Sequence, residues 1–162
     1  MFNSKRIVLW LVTLLVTLTT AEMLMAKELR RKTALDRYIA EPDDSYQWKV
    51  ISSSSADGMT NVVVDLISQT WRTEQEVNRP AWQHWLTISI PDNPKTGTGL
   101  LWIGGGRNGR DPPAGNDSRM HTLAQVTSSV VAELHMIPNQ SLIFHKDGHE
   151  RSEDDLIGYT WD

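Results

Sequence analysis

Cysteine is absent from all 162 residues. Its absence excludes disulfides, a thiolate nucleophile, iron–sulfur ligation and cysteine-ligated zinc, so any chemistry rests on oxygen and nitrogen groups. A surplus of positive charge is missing too, because 16 Lys plus Arg face 20 Asp plus Glu and the formal net charge is −4. A nucleic-acid binder needs a face that neutralises phosphates, so nucleic acid is set aside as a partner. Long apolar runs are also lacking. The most apolar stretch, IVLWLVTLLVTL at residues 7–18, falls short of the ~20 residues a membrane-spanning helix needs, and Glu22 blocks its extension.

What is present begins with an address. Lys5 and Arg6 precede that stretch and TTAEMLMA follows it, the charged, apolar and small-residue order of a secretory signal peptide. The expected signal covers residues 1–26, with cleavage after Ala21 or Ala26. Membrane contact is then confined to export, and the protein is expected to be secreted or periplasmic. The sequence leaves its oligomeric state open.

The remainder, residues 27–162, has the content of one globular domain: the whole chain is 40% hydrophobic and 22% charged. KELRRKTALDRYIA at 27–40 has near-helical apolar spacing and predicts a surface helix. YQWKVISS at 46–53 and TNVVVDLISQTW at 60–71 flank Asp57-Gly58, which predicts an antiparallel hairpin. WQHWLTISI at 82–90 is a third strand. LLWI at 100–103 is apolar throughout, as in a strand inside a covered sheet. Ser118 is a candidate N-cap for a helix to Thr127, and SVVAELHM at 129–136 returns to strand character. Ser152 and Asp155 resemble a capping box for a final helix that runs to the end of the sequence. This order predicts an α/β fold whose mixed sheet ends in parallel strands. A helix that ends without a C-cap suggests the N-terminal part of a longer domain, cut where a sheet edge lies open to aggregation.

The loop after LLWI carries the most chemistry. Gly104, Gly106 and Gly109 spell G-x-G-x-x-G, and Glu133 sits near the separation expected of a ribose ligand. Yet Pro112 and Pro113 delay the next helix, which leaves its dipole away from a pyrophosphate. Arg110-Asp111 after Gly109 excludes a Walker A loop. Two readings remain beside the dinucleotide one: a turn whose N–H groups stabilise an oxyanion, and a turn used only for packing.

The segments LRRKTALDRYIAEPDDSYQWK, SQTWRT, RPAWQHWLTISIP, LLWIGGGRN, VVAELHMIPNQ and SEDDLIGYTW together resemble the PhoPQ-activated pathogenicity-related family of exported bacterial proteins, which extends to an amoebal autocrine proliferation repressor. The resemblance spans residues 27–162. It implies an α/β-hydrolase-like fold, a full length well beyond 162 residues, and a part in virulence and resistance to antimicrobial peptides. Gly104, Gly105 and Gly106 match the glycine turn, with Ile103 where many hydrolases carry the histidine of an HGGG motif. The backbone N–H groups of Gly105, Gly106 and Arg107 are the oxyanion-hole candidates. No G-x-S-x-G elbow occurs in the sequence, so this chain alone is expected to lack a nucleophile. The implied activity is serine hydrolysis of acyl or peptide substrates, and the alternative is a non-catalytic binder of peptides or host surfaces on a hydrolase scaffold.

Other motifs read as structural. HKDGHE at 145–150 lacks the glutamate of H-E-x-x-H, and Asp147-Gly148 favours a solvated turn. His84, His121 and His135 fall in predicted strands or helices. No cofactor and no metal are expected.

Overall fold

The computed structural model describes residues 32–161. The expected signal peptide and the first part of the expected 27–40 helix lie outside the described residues. The chain divides into two compact units, Met1–Pro42 and Asp43–Asp162. In the first, α1 (Ala34–Ala40) opens on Thr33, whose hydroxyl accepts from Asp36 N at 3.1 Å while the Asp36 carboxylate accepts from Thr33 N at 2.8 Å. This reciprocal pair satisfies two N–H groups that a helix start otherwise leaves unpaired. The Thr33 bonds also hold the Asp36 carboxyl below the usual carboxylate range.

The second unit is built on a five-stranded mixed sheet. β1 (Gln47–Ala56) and β2 (Met59–Thr70) form the hairpin that Asp57-Gly58 predicts. Both loop residues are left-handed, with φ of 53° and 75°, as a two-residue turn matched to strand twist requires. β3 (Ala81–Pro91) pairs antiparallel with β2 over its length. The chain then reaches β4 (Leu100–Ile103), crosses through α2 (Ser118–Thr127), and returns as β5 (Val131–Leu134). β5 lies between β3 and β4, antiparallel to one and parallel to the other, so the strand order is β1-β2-β3-β5-β4.

That insertion corrects the expectation for LLWI. Its apolar run predicts a covered interior strand, yet β4 is at the rim and its four side chains are 44–54% exposed. Because β5 takes the place beside β3, the outer edge of β4 has no partner among the described residues. Two further boundaries shift. Asp117, not Ser118, caps α2 by accepting from Arg119 N at 2.7 Å, and β5 is shorter than the run at 129–136.

Two apolar clusters hold the unit together. Under α2, Met120 and Ala124 lie one turn apart on one face and pack with Met59 and Val131. The second cluster joins Val77, Leu142, Phe144 and Leu156, with Trp71 against it. Trp71 meets Phe144 edge-on at 6.1 Å and Trp82 at 5.6 Å. Burying each large side chain contributes roughly 1.5–3 kcal/mol, so this cluster fixes the non-sheet part: the small ribbon β6 (Leu142–Ile143) and β7 (Glu150–Arg151), then α3 (Glu153–Trp161). HKDGHE is the loop joining β6 to β7, and the positive φ of His145, Lys146 and Gly148 makes it a turn, as expected. The fold is thus mixed α/β.

Candidate functional site

The glycine turn leaves β4 and passes along the end of β5. Gly104 N donates to Leu134 O at 2.8 Å, which still continues the parallel pairing. Met136 N then donates to Gly105 O at 3.0 Å and Ile137 N to Gly104 O at 3.1 Å. The carbonyls of the turn therefore face protein. Its next N–H groups do not: those of Gly105, Gly106 and Arg107 donate to no acceptor among the described residues, and all three residues are exposed. Consecutive free N–H groups on a fixed turn are what an anion, or the oxygen of a tetrahedral intermediate, requires.

The glycines differ in what they permit. A Cβ on Gly104 would stand 2.9 Å from Glu133 Oε1, and one on Gly106, whose φ is +135°, would stand 3.3 Å from the Met136 side chain. Nothing lies within 4 Å of a Cβ on Gly105. The backbone at 106 therefore demands glycine, a side chain at 104 would have to displace the Glu133 carboxylate, and position 105 stays open to an approaching group.

Two side chains set the turn in place. The Trp85 indole donates to Arg110 O at 3.0 Å, pinning the descending loop to β3. Gln140 works from the other side, where its amide nitrogen donates to Gly106 O at 2.9 Å and its amide oxygen accepts from Glu153 N at 2.6 Å, at the first residue of α3. The Gln140 carbonyl also accepts from Asn108 N. Beside this junction opens a cleft of about 280 Å³, lined by Asn78, Arg79, Arg107, Asn108, Gln140, Ser141, Glu150, Ser152 and Glu153. Sequence reading finds Arg107 but misses Arg79, Gln140 and the cleft, since nothing local joins residues so far apart in the chain.

Glu133, the acid the dinucleotide reading needs, is buried against Gly104 rather than presented to a ligand. Its Oε1 lies 3.7 Å from His135 Nδ1, and its Oε2 has no hydrogen-bond partner in the structure. The helix after the loop starts only at Ser118. Neither feature suits a pyrophosphate site.

The histidines take structural positions. His84 is 1% exposed, with Nε2 2.9 Å from Ser68 Oγ and Nδ1 3.2 Å from His135 O. A serine beside an imidazole has the composition of a nucleophile and base, but this pair is closed to substrate. Burial pushes the His84 imidazole below its usual value, because desolvation disfavours the charged form. His135 Nε2 reaches Thr87 Oγ1 at 3.4 Å, and His149 lies 3.7 Å from an Asp155 oxygen on the surface. Among the described residues, no three His, Asp or Glu side chains converge as a metal ion requires.

Comparison with known proteins matches this chain on its sequence. A family model for PhoPQ-activated pathogenicity-related proteins covers residues 35–162. Autocrine proliferation repressor protein A of Dictyostelium discoideum is 37% identical over 130 residues, which is 80% of this chain and 26% of that protein. The chain thus spans about a quarter of the relative's length. No solved structure matches. The family match takes in every strand, α2, α3, the glycine turn and the cleft, and the chain belongs to the PhoPQ-activated pathogenicity-related family.

Proposed function

We propose that the chain forms the first part of an exported α/β-hydrolase-like protein that serves virulence and antimicrobial-peptide resistance. In this reading the glycine turn is its oxyanion hole. The observation that carries it is the row of free N–H groups at Gly105, Gly106 and Arg107, placed directly after a parallel strand and before the crossover helix. A hydrolase of this fold takes oxyanion donors from that loop. The strand order supports the same reading, because after the antiparallel strands the later strand β5 inserts between β3 and β4 and runs parallel to β4. The chemistry is serine hydrolysis of an acyl or peptide bond, with the nucleophile, acid and histidine supplied by sequence that these 162 residues do not contain. The charged and apolar order of residues 5–18 supports export in this reading.

The test is fluorophosphonate labelling of the full-length protein. Covalent labelling at a single serine is the expected result. An intact serine elbow that takes no label would overturn hydrolysis. A second reading, peptide binding without turnover, is favoured by the charged cleft beside the turn, which needs no nucleophile to hold a ligand.

A further inference from the structure

The cleft beside the glycine turn has an unusual charge arrangement. Arg79 and Arg107 line it together with Glu150 and Glu153. Two cations and two anions around one small volume would ordinarily pair with each other. Here they do not: among the described residues neither guanidinium has a carboxylate within ion-pair distance or a hydrogen-bond acceptor of its own. The two carboxylates hold only neutral partners. Ser141 Oγ donates to Glu150 Oε2 at 2.8 Å, and the Gln140 amide lies 3.5 Å from Glu153 Oε1.

A purely anionic ligand would meet the arginines but would also face both glutamates. A purely cationic one would meet the reverse. Only a ligand that carries both signs satisfies the four groups at once, and guanidinium groups are well suited to a carboxylate while carboxylates accept from an ammonium. The volume of about 280 Å³ lies just below the ~300–1,000 Å³ typical of ligand pockets, which points to something small. We propose that this cleft binds short peptides with free ends, a dipeptide in the simplest case. Their carboxylate is taken by Arg79 and Arg107, and their ammonium by Glu150 and Glu153. This rests on and deepens the second reading above, peptide binding in the same cleft, and it is independent of hydrolysis because binding needs no nucleophile.

The test measures binding to the full-length protein by calorimetry and saturation-transfer NMR, using Ala-Ala, N-acetyl-Ala-Ala and Ala-Ala amide. Ala-Ala is expected to bind, and each blocked form to bind at least roughly tenfold more weakly. The paired variant Arg79→Gln with Arg107→Gln should lose the preference for a free carboxylate over its amide while still preferring a free amine. Glu150→Gln with Glu153→Gln should show the opposite pattern. All four side chains are exposed, so the variants are expected to fold, and far-ultraviolet circular dichroism checks this. The comparison of blocked and free ligands on the unaltered chain needs no variant at all. No binding of Ala-Ala, equal binding of the blocked forms, or acetate competing as well as Ala-Ala would each overturn the proposal. Binding is read without turnover, so failed serine labelling leaves this result standing and failed dipeptide binding leaves the labelling result standing.

Discussion

The two rims of the sheet differ in how much polar sequence relieves their apolar side chains. β1, at one rim, reads QWKVISSSSA: its first half exposes Trp48, Val50 and Ile51 around Lys49, and its second half is a run of four serines. β4, at the other, reads LLWI and exposes all of it. Serine and lysine let water satisfy a strand edge and discourage pairing with another chain, which is how proteins finish a sheet. An apolar edge invites pairing instead. The serine half of the hairpin rim is therefore closed by its own composition, whereas the glycine-turn rim presents side chains typical of an interior strand along its whole length. The candidate site lies on the unfinished side.

Several substitutions would break or sharpen this contrast. The largest effect is expected from Leu101→Lys combined with Ile103→Lys. Charges on the β4 rim should raise the concentration at which the chain self-associates by roughly tenfold in light scattering. Ser53→Lys with Ser55→Lys on β1 should leave it unchanged. Equal responses at both rims would dissolve the contrast.

In the turn after β4, Gly106→Ala places a side chain at φ +135° and 3.3 Å from Met136 Cγ and should cost about 2 kcal/mol in chemical denaturation. Gly105→Ala, with open space around its Cβ, should change stability by less than about 0.5 kcal/mol. If the two variants unfold alike, the turn is not the packed structure described.

Between the rims, His84 provides an internal reference through pH. Burial lowers its folded-state value beneath the ordinary 6.5, so the unfolded chain binds the proton more readily. Its contribution to stability is complete above about pH 6.5 and declines as pH falls toward the folded value. His84→Gln should flatten that decline, measured as the denaturation midpoint at a series of pH values. An unchanged slope would show that other groups cause it.

A modest gain is expected at Ser128, which ends α2 at φ 49° on the way into β5. Ser128→Gly removes the side-chain penalty of that left-handed conformation and should stabilise the chain by about 0.5–1 kcal/mol, visible as a higher thermal midpoint. Destabilisation would mean the Ser128 side chain contributes more than its backbone strain costs.

Local chemistry made part of this structure readable in advance. Asp57-Gly58 announced the hairpin because only a few residue pairs accept two consecutive left-handed conformations. β2 and β3 were readable from β-branched content, and α2 from a polar cap ahead of an apolar face. The rank of β4 in the sheet was not, since an apolar strand looks the same whether its neighbours have arrived or not. β6 and β7 are two residues each, too short to leave a period in the sequence. In the site, the glycine turn was visible as a string of letters. The bond from Gln140 to Gly106 spans 34 positions, and the meeting of Arg79 with Arg107 depends on the connection after β2. No local pattern records either one.

Gln140 also sets a mechanical property of the cleft. One side chain grips Gly106 with its nitrogen and the start of α3 with its oxygen. The amide is a flat, stiff plate, so the wall carrying Arg107 and the wall carrying Glu153 are held at a nearly constant span. The gap between them behaves like a gauge cut to one size, and a ligand that enters has little opening or closing to do.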